Sequence, residues 1–109
     1  MAALDPTVGR ELKKTRPALV VSNDHANELA DMVVVLPITS GQRSYFHMVD
    51  ISPPEGGVVK KSRIVPDQVR AIDKTRLGKK LGKVKPVTLY AVEQALRTLF
   101  GLPEGNILP

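Results

Sequence analysis

Arginines, hydroxyls and carboxylates lie at the ends of apolar stretches in three parts of the chain. Arg16 comes directly before the apolar run 17–21, and Thr39 with Ser40 follows the run 32–38. Arg70 lies between two acidic residues in segment 67–73. A guanidinium presents a fixed fork of donors that matches phosphate oxygens, and a hydroxyl adds one more donor. If the fold brings these groups together, they form a site for a phosphodiester.

RNA is one phosphodiester on which such a site could act, because its own 2′-hydroxyl can attack the adjacent phosphorus. A catalyst has to take the 2′ proton, neutralise charge on the phosphoryl oxygens and protonate the leaving 5′ oxygen. The products are a 2′,3′-cyclic phosphate, or the 3′-phosphate after opening, and a 5′-hydroxyl. Arg16 stays protonated at any working pH, so it suits charge stabilisation or proton donation better than base catalysis.

Each of these candidates also has a structural interpretation. An arginine at a strand start, such as Arg16, is suited to a surface ion pair. Thr39 and Ser40 precede a glycine and are common turn residues in that setting. Asp73, with Asp67 nearby, can orient an arginine, act as a base or simply satisfy a loop, since ion-pair networks imitate functional sites.

Three further residues complete the candidate set. Gln68 and Arg70 share the third segment with Asp73 and are candidate RNA contacts. Glu11 falls in a predicted loop before Arg16, where it is either part of the site or an exposed charge. The two histidines, at positions 25 and 47, stand outside any recognisable motif and are predicted to be structural. The carboxylates show no metal-ligand spacing, so neither a metal nor another cofactor is predicted.

Composition limits the class of protein. A chain of 109 residues with 42% hydrophobic content is predicted to form a single globular domain, residues 1–109. The absence of cysteine excludes disulfides and fits the cytoplasm, and no apolar run approaches the length of a membrane span. The formal net charge is +5, and the segment 60–85 holds ten lysines and arginines against two aspartates. Such a field attracts polyanions, which are nucleic acid or an acidic protein segment.

Short apolar segments dominate the chain, and one helical period closes it. Strands are predicted at 16–21, 32–38, 45–51, 58–65 and 69–72. Residues 77–82 contain two glycines and are predicted to be a basic turn before another short strand. From Pro86 onward Leu89, Val92, Leu96 and Leu99 recur at helical spacing, and Gly101 is placed to end the helix. Several strands with a terminal amphipathic helix predict a small β-barrel with helical decoration, and the strand pattern alone does not separate this from an OB-fold.

Three strings together resemble the MazF/PemK family of toxin endoribonucleases. They are Arg-Pro-Ala-Leu-Val-Val-Ser at 16–22, Pro-Ile-Thr-Ser at 37–40 and Asp-Gln-Val-Arg-Ala-Ile-Asp at 67–73. The resemblance extends to Asp-Pro-Thr-Val-Gly-Arg-Glu at 5–11 and covers nearly the whole chain. One departure is that the family's first strand, which precedes the Asp-Pro-Thr, is almost entirely lacking.

The resemblance implies the SH3-like barrel of the MazF, PemK and CcdB toxins with a C-terminal amphipathic helix. It also implies a metal-independent, sequence-specific endoribonuclease that cuts single-stranded RNA. Arg16 and Thr39 would be its catalytic residues, and the RNA-binding residues would be Glu11, Ser40, Gln68, Arg70 and Asp73. The implied partners are a second copy of the chain and a small antitoxin with an acidic disordered tail.

Two alternatives stay open at this point. One is a non-enzymatic, protein-binding toxin on the same fold, as in the CcdB branch, since fold does not decide function. The other is an inactive, truncated relative, because a barrel lacking a strand exposes unpaired backbone. Arg16 together with Thr39 favours the nuclease over both.

Overall fold

The computed structural model describes residues 7–11, 16–23, 28–29, 31–41 and 47–102. Within them one helix of fifteen residues follows seven strands. The elements are β1 (Thr7–Glu11), β2 (Arg16–Val20), β3 (Met32–Thr39), β4 (Val49–Ile51), β5 (Ser62–Ile64), β6 (Arg70–Asp73), β7 (Leu77–Lys83) and α1 (Pro86–Phe100). Short 3₁₀ turns at Glu55–Gly57, Pro66–Gln68 and Lys74–Arg76 connect them.

The strands form one curled, antiparallel sheet in the order β4-β5-β3-β2-β1-β7, and β6 pairs with β3 off this path. Strand β3 is the centre, because it pairs with β2 along one edge and with two strands along the other. Its first half pairs with β6 and its last two residues pair with β5. Pro37 lies where the partner changes; it has no N–H to donate, and its carbonyl accepts from the Val65 N–H at 2.9 Å. This change of partner curls the sheet into a half-barrel, as predicted from the short strands and the resemblance.

Side chains of β2 and β3 alternate between two apolar clusters on opposite faces of the sheet. Leu19 and Leu36 are directly paired and belong to the larger cluster, which also holds Val92 of α1. Val20 and Val35 are paired next along and belong to a smaller cluster with Ile72 of β6. Because both faces are buried, a one-residue slip of β2 against β3 would exchange the two clusters, so the register is strongly specified.

Helix α1 confirms the prediction made from its period and its end residues. Pro86 occupies the first turn, where its missing N–H costs nothing. Thr88, Val92 and Ala95 are the buried residues of the helix, at spacings of four and three. Gly101 ends it with φ at 67°, and its N–H bonds to the Arg97 and Thr98 carbonyls. The helix therefore covers the larger cluster with one face.

Two predicted connections and one predicted strand differ from the structure. The loop expected around Glu11 is strand β1, and the basic turn expected at 77–82 is strand β7. Both form because β1 lies between β2 and β7 and pairs with each, so long-range pairing overrides the weak local preference. The strand expected at 58–65 begins only at Ser62. Of the strand expected at 45–51, residues 49–51 are β4, while residues 45 and 46, like the segment 1–6 before β1, lie outside the described residues.

The carboxyl group of Glu93 on α1 gives a prediction on stability. One of its oxygens, Oε2, is buried and has no hydrogen-bond partner among the described residues. Burial raises the pKa of Glu93, and the charge of Arg97 only partly opposes this. A carboxyl whose pKa is raised on folding destabilises the fold once it ionises, so the cost is present at neutral pH and disappears as the pH falls below the ordinary value of 4.5.

We therefore expect Glu93→Gln to raise the melting temperature at pH 7 and to lose that advantage near pH 4. Thermal denaturation at the two pH values measures this. Glu28→Gln, at an exposed position, is the control and should change neither value. A lower melting temperature for Glu93→Gln at pH 7 would show that the carboxylate has a stabilising partner.

Candidate active site

A cleft of about 520 Å³ opens where β1, β2 and β3 meet the segment 57–62. Strand residues Arg10, Arg16 and Thr39 line it together with Ser40 and Lys60. The remaining lining residues are Pro17, Ile38, Gly57, Val58, Val59, Ser62 and Leu81. Three cations and three hydroxyl groups thus line one concavity together with apolar side chains. Such a lining suits an anion that carries an apolar or planar portion.

The pairing of β2 with β3 explains why Arg16 and Thr39 meet. Ala18 pairs with Pro37, and continuing this register by two residues sets Arg16 opposite Thr39. Side chains two residues apart on a strand share a face, so the guanidinium and the hydroxyl emerge on the same side at the same level. Both line the cleft. The structure therefore brings together the two residues predicted to be catalytic.

The side chain of Thr39 makes a hydrogen bond to a residue close to it in sequence. Its Oγ1 accepts from the Gly41 N–H at 3.1 Å. Because a hydroxyl can accept and donate at once, this bond fixes the oxygen and leaves its own hydrogen for another acceptor. Thr39 is half-buried, whereas Ser40 beside it and Arg16 across the cleft are exposed. The hydroxyl is thus oriented by the fold, and Arg16 is accessible to a ligand.

The cleft contains two cations that the sequence did not single out. Arg10 lies on β1 directly opposite Pro17 of β2, and Lys60 lies at the exposed end of the segment before β5. Arg10 was missed because its segment was predicted to be a loop, although Val8 and Arg10 at alternate positions are a weak strand signal. Lys60 was included only in the total charge of the basic segment.

Glu11 is the last residue of β1 and pairs with Arg16 across the β1–β2 ladder. Directly paired residues of an antiparallel sheet have Cβ atoms about 5 Å apart. Glu11 is therefore placed by register next to the arginine of the cleft, in a strand and not in the predicted loop. None of the described residues that line the cleft is a carboxylate or a histidine. Position 11 is therefore a place next to the cleft where the sequence has an acidic residue.

Gln68, Arg70 and Asp73 lie elsewhere, and none of them lines the cleft. Arg70 pairs with Val35, four residues before Thr39, which corresponds to about 13 Å along the strand. Gln68 is exposed at the end of a 3₁₀ turn. If these three residues contact RNA, they do so away from Arg16 and Thr39.

The carboxylate of Asp73 has a local structural role. It accepts hydrogen bonds from the Thr75 N–H at 2.9 Å and from the Thr75 hydroxyl at 2.7 Å. These bonds cap the turn Lys74–Arg76 and hold the pKa of Asp73 below its usual value. The interpretation that Asp73 stabilises a turn therefore has direct support, while its contact with RNA stays a prediction.

The described residues show no sign of a metal site, a histidine cluster or a membrane span. Among them no group of three or more histidine, cysteine or acidic side chains is close enough to hold a metal ion. His47 is exposed with φ at 51°, and residue 25 lies outside the described part of the chain. No helix of the described ranges has the length and hydropathy needed to cross a membrane.

Comparison with known proteins agrees with these features. The family described as the PemK-like, MazF-like toxin of type II toxin-antitoxin systems matches residues 1–100. The endoribonuclease MazF9 of Mycobacterium tuberculosis is 34% identical over 100 residues, which cover 86% of this chain and 85% of the relative. The endoribonuclease EndoA of Bacillus subtilis is 33% identical, with 93% and 89% covered. The family resemblance and the prediction of an endoribonuclease are confirmed at this level.

Solved structures extend the match to the fold. An endoribonuclease from a mycobacterial species, solved in complex with its cognate antitoxin, superposes with a TM-score of 0.78. It is 30% identical, and the alignment covers 95% of this chain and all of the other. The predicted class, a small β-barrel with one C-terminal helix, is confirmed, and the predicted antitoxin partnership has its counterpart in that complex.

Proposed function

Since the chain belongs to the PemK-like, MazF-like toxin family, we propose that it is the toxin of a type II toxin–antitoxin system and cleaves single-stranded RNA within the cleft of Arg16 and Thr39. The observation that carries the proposal is that Arg16 of β2 and Thr39 of β3 line one cleft, just beyond the last β2–β3 pair, Ala18 with Pro37. We propose that it acts as a single domain, residues 1–109, in the cytoplasm.

The proposed reaction uses the nucleophile that RNA contains. The 2′ oxygen forms a bond to phosphorus as the bond from phosphorus to the 5′ oxygen breaks. The 2′ proton leaves to a base, and a proton is delivered to the 5′ oxygen. The products are a 2′,3′-cyclic phosphate, or its opened 3′-phosphate, and a 5′-hydroxyl. Because the charge that develops on the phosphoryl oxygens can be met by guanidinium and hydroxyl donors, we propose that no metal is required.

Arg16 and Thr39 meet that charge from two strands. The fork of Arg16 spans two phosphoryl oxygens and can deliver a proton towards the leaving 5′ oxygen. The hydroxyl of Thr39, with its oxygen already bonded to Gly41, donates to the scissile phosphate without reorganisation. Ser40 at the mouth adds a second hydroxyl. Arg10 and Lys60 add charge that draws the RNA into the cleft.

Glu11 is the proposed acceptor of the 2′ proton. A base has to lie beside the attacking oxygen, and among the described residues Glu11 is the carboxylate that the β1–β2 pairing sets against Arg16. Arg70, about 13 Å along β3 from Thr39, would contact the RNA beyond the cut, together with Gln68 of the turn before β6 and Asp73 at the end of β6.

The proposed partners follow from charge and from the mycobacterial complex. Lys79, Lys80 and Lys83 lie on β7, which is an edge of the strand order, so an acidic extended segment of an antitoxin finds both charge and an edge there. The same excess of positive charge favours RNA. We propose that the antitoxin inhibits by competing for this basic surface, and that the active toxin is a homodimer.

Cleavage in excess EDTA tests the proposal. Purified protein is incubated with a mixed-sequence single-stranded RNA, and the new ends are mapped chemically. We expect cuts at a short sequence with 5′-hydroxyl ends, and Thr39→Val should lower kcat by about 10²-fold, as expected for one lost donor. Thr98→Val on α1, a helix that contributes no residue to the cleft, is the matched control and should cut normally.

The results separate the proposal from its alternatives. Cleavage that stops in EDTA and returns with a divalent ion would overturn the metal-independent chemistry. No cleavage from folded protein would favour the protein-binding toxin or the inactive relative. Equal loss of activity in Thr39→Val and Thr98→Val would mean that neither hydroxyl acts on the phosphate.

A further inference from the structure

A second cleft of about 360 Å³ adjoins the first on the other side of Thr39. The two share Thr39, Ser40 and Ser62 in their lining. The second cleft adds the charged side chains of Asp50, Lys61 and Arg63, which the first does not contain. If the scissile phosphate of an RNA strand lies at Thr39, a neighbouring part of the same strand would therefore reach the charged side chains of the second cleft.

The register of three strands fixes the position of Arg63. It pairs with Thr39 of β3 on one side and with Asp50 of β4 on the other. The three side chains form one row across the sheet, with about 5 Å between neighbouring Cβ atoms. Arg63 is thus the immediate neighbour of the threonine, and it lines the second cleft but not the first.

The ion pair in this row is weak and exposed. Arg63 Nε and Asp50 Oδ1 are 3.7 Å apart, and their side chains are 37% and 87% exposed. A long, solvent-exposed pair of this kind contributes little free energy, so a phosphate can replace the carboxylate. A phosphate offers the guanidinium two oxygens in the geometry that its fork prefers. Asp50 therefore pairs with Arg63 only weakly, and a phosphate can take its place.

Lys61 is presented by a turn whose geometry is fixed. The buried Ser62 donates its hydroxyl hydrogen to the Lys60 carbonyl at 2.8 Å, which closes the chain just before β5. Lys61 is exposed and lines the second cleft, while Lys60 lines the first. Two cations thus face one carboxylate in the second cleft. The described lining includes Ile51 but no aromatic side chain on which a base could stack, which favours phosphate over a base.

We propose that this second cleft binds the RNA phosphate adjacent to the scissile one, with Lys61 and Arg63 as its contacts. Arg63 exchanges Asp50 for the phosphate when RNA binds. The inference rests on the proposed function, because it takes the scissile phosphate to lie at Thr39. It adds that the enzyme grips the linkage on one side of the cut, so RNA is bound as a strand and not as an isolated dinucleotide.

Neutral linkages placed one at a time test this assignment. After the cut is mapped, RNA oligonucleotides are made with 2′-deoxyribose at the cut nucleotide, so that they bind without reacting. Each carries one uncharged methylphosphonate, at the linkage before or after the cut. Fluorescence anisotropy gives Kd for the wild type, Arg63→Gln and Lys61→Gln. Lys85→Gln, an exposed cation before α1 that lies outside both clefts, is the matched control.

We expect the wild type to bind one of the two modified RNAs about ten-fold more weakly, as for the loss of one charged contact. Arg63→Gln should bind unmodified RNA about ten-fold more weakly and show little further loss on that modified RNA. The slope of log affinity against log salt should fall by about 1 for Arg63→Gln and for Lys61→Gln. Lys85→Gln should keep the full sensitivity to the methylphosphonate.

Asp50→Asn tests the exchange directly, and we expect it to bind unmodified RNA two- to three-fold more tightly because Arg63 no longer has to leave a carboxylate. Weaker binding by this variant would overturn the exchange. Sensitivity to the methylphosphonate that is as large in Arg63→Gln as in the wild type would overturn the second phosphate site. If the binding results contradict the second phosphate site but RNA is still cleaved in a way that requires Arg16, the proposed function is left intact. Protein that neither binds nor cuts RNA would overturn both.

Discussion

Replacing Arg16 with alanine is expected to lower kcat/KM for RNA cleavage by about 10³-fold, the upper end of the effect of one preorganised donor to developing charge. Arg16 provides two such donors from one planar group and stays charged at every working pH. Its side chain is exposed at the first residue of β2, and Pro17 and Ala18 continue the strand without it. The melting temperature should therefore remain within about 2 °C of the wild type, as for an ordinary surface substitution.

Two further substitutions separate the geometry of Arg16 from its charge. Arg16→Lys keeps a positive charge but loses the fork, so its rate should lie much closer to Arg16→Ala than to the wild type. Arg10→Ala removes a neighbouring cation of the same cleft, and we expect a loss of about ten-fold, mainly in KM. Single-turnover cleavage with thermal melts of each variant measures both effects. Full activity in Arg16→Lys, or a collapse of cooperative unfolding in Arg16→Ala, would contradict the catalytic role.

Local sequence signals were sufficient where an element carries its own pattern. The helix Pro86–Phe100 repeats its apolar residues at the helical period and has a proline and a glycine at its ends. Strand Met32–Thr39 is a long run rich in β-branched residues. In both cases the residues that shape the element also bury its apolar face. Arg16 and Thr39 were found through the resemblance, but the register that brings them together depends on pairing between distant segments and could not be predicted locally.

Elements that depend on their neighbours were missed for the same reason. Strand Leu77–Lys83 has two glycines and three lysines in seven residues, a composition that disfavours a strand when it is read alone. It forms because β1 supplies a partner, with Thr7 pairing with Lys83 and Glu11 with Leu77. Its exposed lysines and the close packing at Gly82 are features of an edge strand against a loop. The residues that indicated a turn are therefore those that the tertiary contact requires.

That contact makes Gly57→Ala the second large effect that we expect, this time on stability. Gly57 has φ at 75°, and a Cβ at this position would lie 2.3 Å from the Leu81 carbonyl oxygen. Backbone atoms cannot move aside as the end of a side chain can. Gly82 shows the reverse side of the contact, since its Cβ would lie 2.8 Å from the Gly56 carbonyl carbon. The loop and β7 therefore approach more closely than any side chain allows.

The loop that contains Gly57 is also bonded to helix α1 and forms part of the cleft, so the substitution should affect the cleft as well as stability. Glu55 accepts from the Lys85 N–H at 2.9 Å through Oε2 and so places a carboxylate at the N-terminus of α1. Gly57 and Leu81, the two residues that would clash, both line the cleft with Arg16 and Thr39. An alanine at position 57 would push this wall outward, so RNA cleavage should fall together with stability.

We expect Gly57→Ala to lower the free energy of unfolding by about 3 kcal/mol or more, the sum of a left-handed backbone and a steric clash. Gly101→Ala is the matched control, because Gly101 has φ at 67° but nothing within 4 Å of the added Cβ. It isolates the backbone cost, about 1 kcal/mol. Urea denaturation of both variants, with Gly82→Ala as a second probe of the contact, gives the difference. A cost for Gly57→Ala no larger than that for Gly101→Ala would show that the loop and β7 can separate freely, and the wall of the cleft would then be a movable part of the molecule.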